Sequence, residues 1–262
     1  MNGLPAINGW LWIREGFALF RRKPNELLMM FLLYWGLNVL ISGILPVGGF
    51  LLLILHPVFV TAFMLACAKV DIDQPLHPKL LFAYLFSPKF KRLAGLGLCY
   101  LLALCVAGVA MYLFADDSLI ASMRKANNGT MPDDPAMQIA FVKAFFFGFS
   151  LFIVLIFPLW FAAPLIAWQD MSIGKAVFFS FFSVVRAIKA FLLYFVAWGL
   201  IIVFVFVNLA AILSLLHVQS QAWATIVLIP CMLLLGLLLH CSYYPCYVHV
   251  FGKPKLDAPP AA

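Results

Sequence analysis

The sequence predicts an all-α, polytopic membrane fold with six transmembrane helices, and three observations carry that prediction. Of 262 residues, 66% are hydrophobic and only 10% are charged, against about 45–50% and about 25% in a soluble domain. Six stretches are apolar enough, and close enough to the required length of about 20 residues, to cross about 30 Å of hydrocarbon as helices. The remaining charge is sided. Arg14, Arg21, Arg22 and Lys23, then Lys69, Lys79, Lys89, Lys91 and Arg92, then Lys175, Arg186 and Lys189, and finally Lys253 and Lys255 fall on one side of the alternating spans. Only Arg124, Lys125 and Lys143 of the 17 basic residues fall on the other. A soluble core cannot hold two-thirds of a chain, because its surface still has to face water. Backbone groups in lipid must be satisfied within the segment, which selects helices, and the alternating ten-residue pattern of a barrel strand is missing.

The elements follow in order. Ile7–Arg22 reads as an amphipathic helix with Ile13, Phe17 and Phe20 on one face and Arg14, Glu15, Arg21 and Arg22 on another. The spans are expected at Leu27–Leu45, Phe50–Ala68, Leu93–Phe114, Phe145–Ala167, Ala190–Leu213 and Trp223–Tyr247, with a flexible tail over 250–262. Two further amphipathic stretches precede the second and third pairs of spans. One is Leu76–Phe86, opened by Pro75 and Pro78. The other is Ser172–Lys189, with Asp170 and Ser172 as N-cap candidates and Ser172, Lys175, Ser183, Arg186 and Lys189 on one side. The chain thus reads as a single membrane domain of three helical hairpins, each preceded by an amphipathic segment. Tyr34-Trp35-Gly36-Leu37 and Ala197-Trp198-Gly199-Leu200 match in a gapless comparison, and a proline recurs in the second span of each hairpin, consistent with an internal repeat.

The positive-inside rule places both termini in the cytoplasm of a bacterial inner membrane. The first 25 residues lack the pattern of a cleavable signal peptide, so the first span is expected to stay in the protein. The net charge of +7 is read as topology and as a match to anionic inner-leaflet lipid, not as a nucleic-acid footprint. Trp10, Trp12, Trp168 and Trp198 are expected as interfacial anchors.

Chemistry is sparse. No Asp, Glu, Lys or Arg falls in the core of a span, whereas ion-coupled transporters usually place such groups there. Asn208 is expected to make an interhelical hydrogen bond. Pro57, Pro158, Pro164, Pro230 and Pro245 should kink their helices or free a carbonyl, with the fourth span, holding Pro158 and Pro164, the most bent. Cys246 and His249 share a helical face, but Pro245 and the spacing of Cys241 argue against a metal centre. The six cysteines all lie within spans or near the cytoplasmic face, with no exterior pair to oxidise. The exterior loop over 115–143 carries Asp116, Asp117, Asp133 and Asp134 and an Asn128-Gly129-Thr130 triplet, read as a solvated loop. No P-loop, GxSxG, CxxC or HExxH motif occurs, so no enzyme, cofactor or metal is expected.

The segment Gly9-Trp10-Leu11-Trp12-Ile13-Arg14-Glu15-Gly16-Phe17 with Phe20 and Pro24, and the run from Trp160 to Lys175 followed by AVFFSFFSVVR, resemble a family of proteobacterial, mainly beta-proteobacterial, inner-membrane proteins of unknown function. The resemblance covers nearly the whole chain, least so at 115–143, and implies six helices and an inner-membrane location without supplying catalytic or binding residues. The function expected is non-enzymatic. A basic cytoplasmic collar of Arg14, Arg21, Arg22, Lys175, Arg186 and Lys189 would contact anionic lipid, a membrane partner or a second copy. The alternative is a transporter of an apolar or amphipathic solute working through helices broken at Pro57, Pro158, Pro164 and Pro230.

Overall fold

A computed structural model describes residues 3–113, 120, 135–215 and 221–255. Its described secondary structure is helical throughout: α1 (Asn8–Arg22), α2 (Pro24–Ile44), α3 (Gly48–Asp71), a 3-10 helix (Pro78–Phe82), α4 (Phe90–Leu113), α5 (Pro135–Ile156), a 3-10 turn (Phe157–Leu159), α6 (Ala162–Gln169), α7 (Ile173–Arg186), α8 (Ile188–Leu215) and α9 (Gln221–Phe251). Six segments among the described residues are long and apolar enough to span a bilayer: Pro24–Ile44, Gly48–Asp71, Phe90–Leu113, Val142–Gln169, Ile188–Leu215 and Thr225–Phe251.

Local chemistry explains most boundaries. Lys23 leaves helical geometry between α1 and α2, and Pro24 opens α2, where its fixed φ and missing N–H do no harm. Pro135 likewise opens α5, so the helix starts about ten residues before the expected span and takes in the end of the segment read as loop. The remainder of that loop, with its four aspartates, Arg124, Lys125 and the Asn128 triplet, lies outside the described residues. Leu76–Phe86 is a 3-10 helix over Pro78–Phe82 followed by turns, since its closely spaced prolines cannot donate to an α-helical ladder. At the other end, α9 continues to Phe251 and Lys253 is ion-paired to Asp71, so residues 250–253 belong to the fold.

The fourth span is discontinuous. Pro158 lacks the N–H that would continue α5, and the chain passes through the 3-10 turn into α6, where Pro164 sits in the first turn. Pro57, Pro230 and Pro245 instead remain inside continuous helices. The break exposes the Phe161 N–H, which donates to the Ser180 hydroxyl of α7 at 2.9 Å in a buried position. A neighbouring serine therefore satisfies the backbone that the proline disturbs.

The deepest burial lies at the end of the bundle that carries the basic residues. One cluster joins Trp12, Leu93, Leu96, Leu165, Phe191 and Tyr194, and a second joins Leu27, Phe31, Phe63, Leu81, Leu237 and Tyr244. Helices α1, α3 and α9 each contribute to both.

Candidate lipid-contact face and intramembrane cavity

The N-terminal helix is part of this core. Its buried face is Gly9, Trp12, Ile13, Gly16 and Leu19, and Phe17, expected beside Ile13, is exposed. A Cβ on Gly9 would stand 2.1 Å from the Ala190 carbonyl oxygen of α8, and one on Gly16 2.7 Å from Ser242 Cα of α9. The two glycines lie seven residues apart on one face, so the α1 backbone settles directly between the two helices. Trp12 fills the space between the glycines. It is 0% exposed, with its ring edge-on to Phe191 at 5.1 Å and to Tyr194 at 5.7 Å. Trp198 is also buried, at 5%. Trp12 and Trp198 are therefore packing residues and not interfacial anchors, whereas Trp10 is exposed.

The basic residues divide into two groups. In the first, the cation is held by its own chain. Arg22 and Lys253 converge on Asp71, at 3.7 and 2.6 Å, and Tyr244 donates to the same carboxylate at 3.1 Å. Lys23 lies 3.7 Å from Asp73 and donates to the Gln74 carbonyl at 2.8 Å. Arg92, at the start of α4, pairs with the Asp170 carboxylate and donates to the Asp170 and Met171 carbonyls at 2.9 and 3.1 Å. Lys89 donates to the Ala167 carbonyl. Asp170 ends α6 in the left-handed conformation, φ 51°, which aspartate tolerates better than most residues. It is thus a C-cap, while Ser172 holds the N-cap position of α7 without a side-chain capping bond. The Arg92 guanidinium holds the Asp170 carboxyl below the ordinary carboxylate range.

In the second group, exposed and without an ion pair to any described residue, are among others Lys79 and Lys91 and the five expected contact residues Arg14, Arg21, Lys175, Arg186 and Lys189. Of the six cations expected to form a contact face, only Arg22 is drawn into an internal pair. Arg14, Arg21, Lys175 and Arg186 share helical faces with outward aromatics. Along α1 the exposed residues Trp10, Arg14, Phe17 and Arg21 follow helical spacing, and the Arg21 guanidinium sits 6.0 Å from the Phe17 ring centre. Along α7 the small residues Ala176, Ser180 and Val184 face inward, while Phe178, Phe179, Phe181 and Phe182 face outward between Lys175 and Arg186. The Gly3 and Gly9 contacts with Arg186 and Ala190 bring the two stretches to the same end of the bundle.

Cys246 is buried in the core, and His249 Nε2 lies 3.0 Å from the Glu15 carboxylate. Asn208 donates to the Phe204 carbonyl of its own helix at 2.7 Å, so its expected bond to a neighbouring helix is not formed. The amide reaches the carbonyl one turn back, and its helix carries few buried contacts at that depth.

A feature that the sequence reading passed over lies at the break in the fourth span. A cavity of about 150 Å3 is lined by His56, Val60 and Met64 of α3, Tyr100 of α4, Ile153 and Ile156 of α5, Phe157, Trp160 and Phe161 around the break, Phe195 of α8 and Tyr243 of α9. The His56 and Tyr100 rings meet edge to face at 5.9 Å, and Trp160 meets Tyr243 at 5.1 Å. Behind Tyr243, His240 bonds to the Gly236 carbonyl at 2.8 Å among Phe31, Tyr34 and Phe63, with its Nε2 buried and unbonded among the described residues. The available signal was His56-Pro57 inside an apolar run, an ionisable ring beside a helix breaker.

The chain is 29% identical over 257 residues, covering 97% of its own length and 94% of the relative's, to a probable inner membrane protein of Burkholderia thailandensis. No family model and no solved structure matches it. Six helical segments among the described residues that are long and apolar enough to cross a membrane, with this similarity over nearly the whole length, support a multi-pass inner-membrane location.

Proposed function

We propose that this is a non-enzymatic inner-membrane protein that binds anionic lipid through the exposed face shared by α1 and the α7–α8 junction. The observation that carries the reading is the division among the cations. Asp71, Asp73 and Asp170 retain Arg22, Lys23, Arg92 and Lys253 for the fold, whereas Arg14, Arg21, Lys175, Arg186 and Lys189 remain exposed, the first four on helical faces shared with outward aromatics. A helix of 14 residues such as α7 is about 21 Å long and too short to cross the bilayer. With phenylalanines outward and cations near its ends, it suits the headgroup boundary, rings in the acyl region and charges among phosphates. This reading puts the basic end and both termini in the cytoplasm, where each cation near an anionic leaflet contributes about 1 kcal/mol.

The test is the lipid retained after mild extraction of the full chain, measured by mass spectrometry. Replacing Arg14 and Arg21, or Arg186 and Lys189, by glutamine should lower retained phosphatidylglycerol and cardiolipin about tenfold while leaving phosphatidylethanolamine unchanged. Unchanged anionic lipid in both double variants rejects the reading.

The discontinuous fourth span supports a second reading, transport of an apolar or amphipathic solute. It predicts solute flux in vesicles that falls in Pro158→Ala and Pro164→Ala.

A further inference from the structure

We infer that the cavity at the break in the fourth span is a binding site for a neutral, lipid-soluble molecule whose ring carries a carbonyl oxygen, a quinone-type headgroup, entering from the hydrocarbon. The inference depends on neither reading above, since a protein can hold such a molecule without binding anionic lipid or moving a solute.

Four observations lead to it. The first is polar supply without internal demand. The side chains of His56, Tyr100 and Tyr243 all line the cavity, and none hydrogen-bonds a described residue. Among the other polar side chains in the spans, the Trp168 and Trp198 indole N–H groups and His240 Nε2 are buried without a partner but lie outside the cavity lining, and others are satisfied. Thr61 reaches the Pro57 carbonyl at 2.6 Å, Asn38 the Tyr34 carbonyl at 2.7 Å, and Tyr194 the Ser242 hydroxyl at 2.6 Å. Counting residues to the helix ends nearest the basic residues, Asp71, Phe90 and Phe251, the three cavity groups sit roughly 12–22 Å along their helices. At that depth an unpaired polar group is costly. A phenol donates to a carbonyl oxygen, and an imidazole can donate as well.

The second is shape. About 150 Å3 is the size of an apolar cavity known to take a benzene ring, and the walls supply ring edges from Tyr100, Phe157, Trp160, Phe195 and Tyr243. Third, no charged side chain lines the cavity, which selects a neutral ligand. An acyl chain end would fill the volume but leave both phenols unpaired. Fourth, the rim faces lipid, for Ile153 is 39% and Phe195 43% exposed. A ligand would therefore arrive laterally from the bilayer, with its tail left in the acyl phase.

Trp160 in the wall supplies a readout, because a quinone quenches indole emission at contact range. The full chain in detergent is titrated with a benzoquinone bearing a decyl tail. Saturable quenching is expected, with the saturable component absent in Trp160→Phe. The affinity should weaken tenfold or more in the double variant Tyr100→Phe/Tyr243→Phe, which keeps both rings. Ile153→Trp, at an exposed rim position where added bulk does not disturb the core, should block binding. Linear quenching without saturation, the mark of partition into the micelle alone, overturns the inference. So does an affinity within twofold of the parent in both the double variant and Ile153→Trp. Elution of each variant at the parent's position on size exclusion separates loss of binding from loss of fold.

Discussion

At the basic end of the bundle the helices meet through buried side chains, and at the opposite end the same helices present large apolar residues outward. The contrast runs along single helices. In α8, Phe191, Tyr194 and Trp198 are buried, whereas Leu200, Val203, Phe204, Val207, Ile212 and Leu215 are exposed. In α9, Leu237, Cys241, Tyr244 and Tyr247 are buried, whereas Ile226, Ile229 and Met232 are exposed. Hydropathy barely distinguishes the halves, because in a bilayer lipid tails solvate a leucine about as well as another leucine does. The difference is made by groups that lipid cannot satisfy or imitate. Glycines admit close backbone contact at both ends, as Gly9 does against Ala190 and Gly48 against Ile41, but the described cross-helix hydroxyl bonds and carboxylate–cation pairs lie toward the basic end. Stability should therefore be concentrated there.

The largest effect should come from Trp12. Trp12→Ala empties a site enclosed by Phe191 and Tyr194 and should cost roughly 3–5 kcal/mol, the range for a buried aromatic cut to alanine. Leu104→Ala, on the exposed part of α4, should stay within about 0.5 kcal/mol. Denaturation of the purified full chain in mixed micelles measures both, and similar losses would erase the distinction between the two ends. Gly9→Leu should follow at roughly 3 kcal/mol, the upper end of overpacking costs, because the obstacle is the α8 backbone. Gly108→Leu, where a Cβ meets nothing within 4 Å, should be neutral. Protease cleavage within α1 is a second readout for Gly9→Leu, since an undocked helix is cut.

Polar groups sharpen the comparison at a smaller scale. Ser180→Ala leaves the buried Phe161 N–H without its acceptor. Membrane hydrogen bonds average about 0.6 kcal/mol and reach about 1.7, and a stranded buried backbone donor belongs at the upper end, so about 1.5 kcal/mol is expected. Asn208→Leu removes only a bond to the preceding turn of an exposed face and should change stability by less than about 0.5 kcal/mol. The reverse order, read from the same denaturation curves, would place the important polar contacts at the wrong end.

These examples also show what was legible in the sequence. Six apolar helices were, because length and hydropathy alone decide whether a helix can cross a bilayer, and six helical segments among the described residues meet that requirement. The break in the fourth span was legible because Pro158 cannot donate. The role of α1 was not. Its exposed Arg14 and Arg21 give it the periodicity of a surface helix, while Gly9 and Gly16 acquire meaning only against the Ala190 and Ser242 backbones. Sequence patterning likewise could not divide Arg22 from Arg21, since the division depends on where Asp71, 49 residues onward, comes to rest. The cavity was missed for a chemical reason. Screening the spans for Asp, Glu, Lys and Arg leaves out histidine and tyrosine, the polar groups with which His56, Tyr100 and Tyr243 line it.

The smallest effect belongs to the rim of the basic end, at Asp170. Its carboxyl is held below the ordinary range by the hydrogen bond and charge of Arg92, so the folded protein keeps it ionised at pH values where the unfolded chain begins to bind a proton. The stabilisation is complete above the ordinary carboxylate range and is lost as the pH falls through the depressed folded value. Asp170→Asn should therefore lower Tm at pH 7, and the gap from the parent should narrow as the pH falls below the ordinary carboxylate range. Because the carboxylate is solvent-exposed, the pair is screened and the gap at pH 7 should shrink in high salt. A gap that does not narrow on acidification would rule out the Asp170 charge as its source.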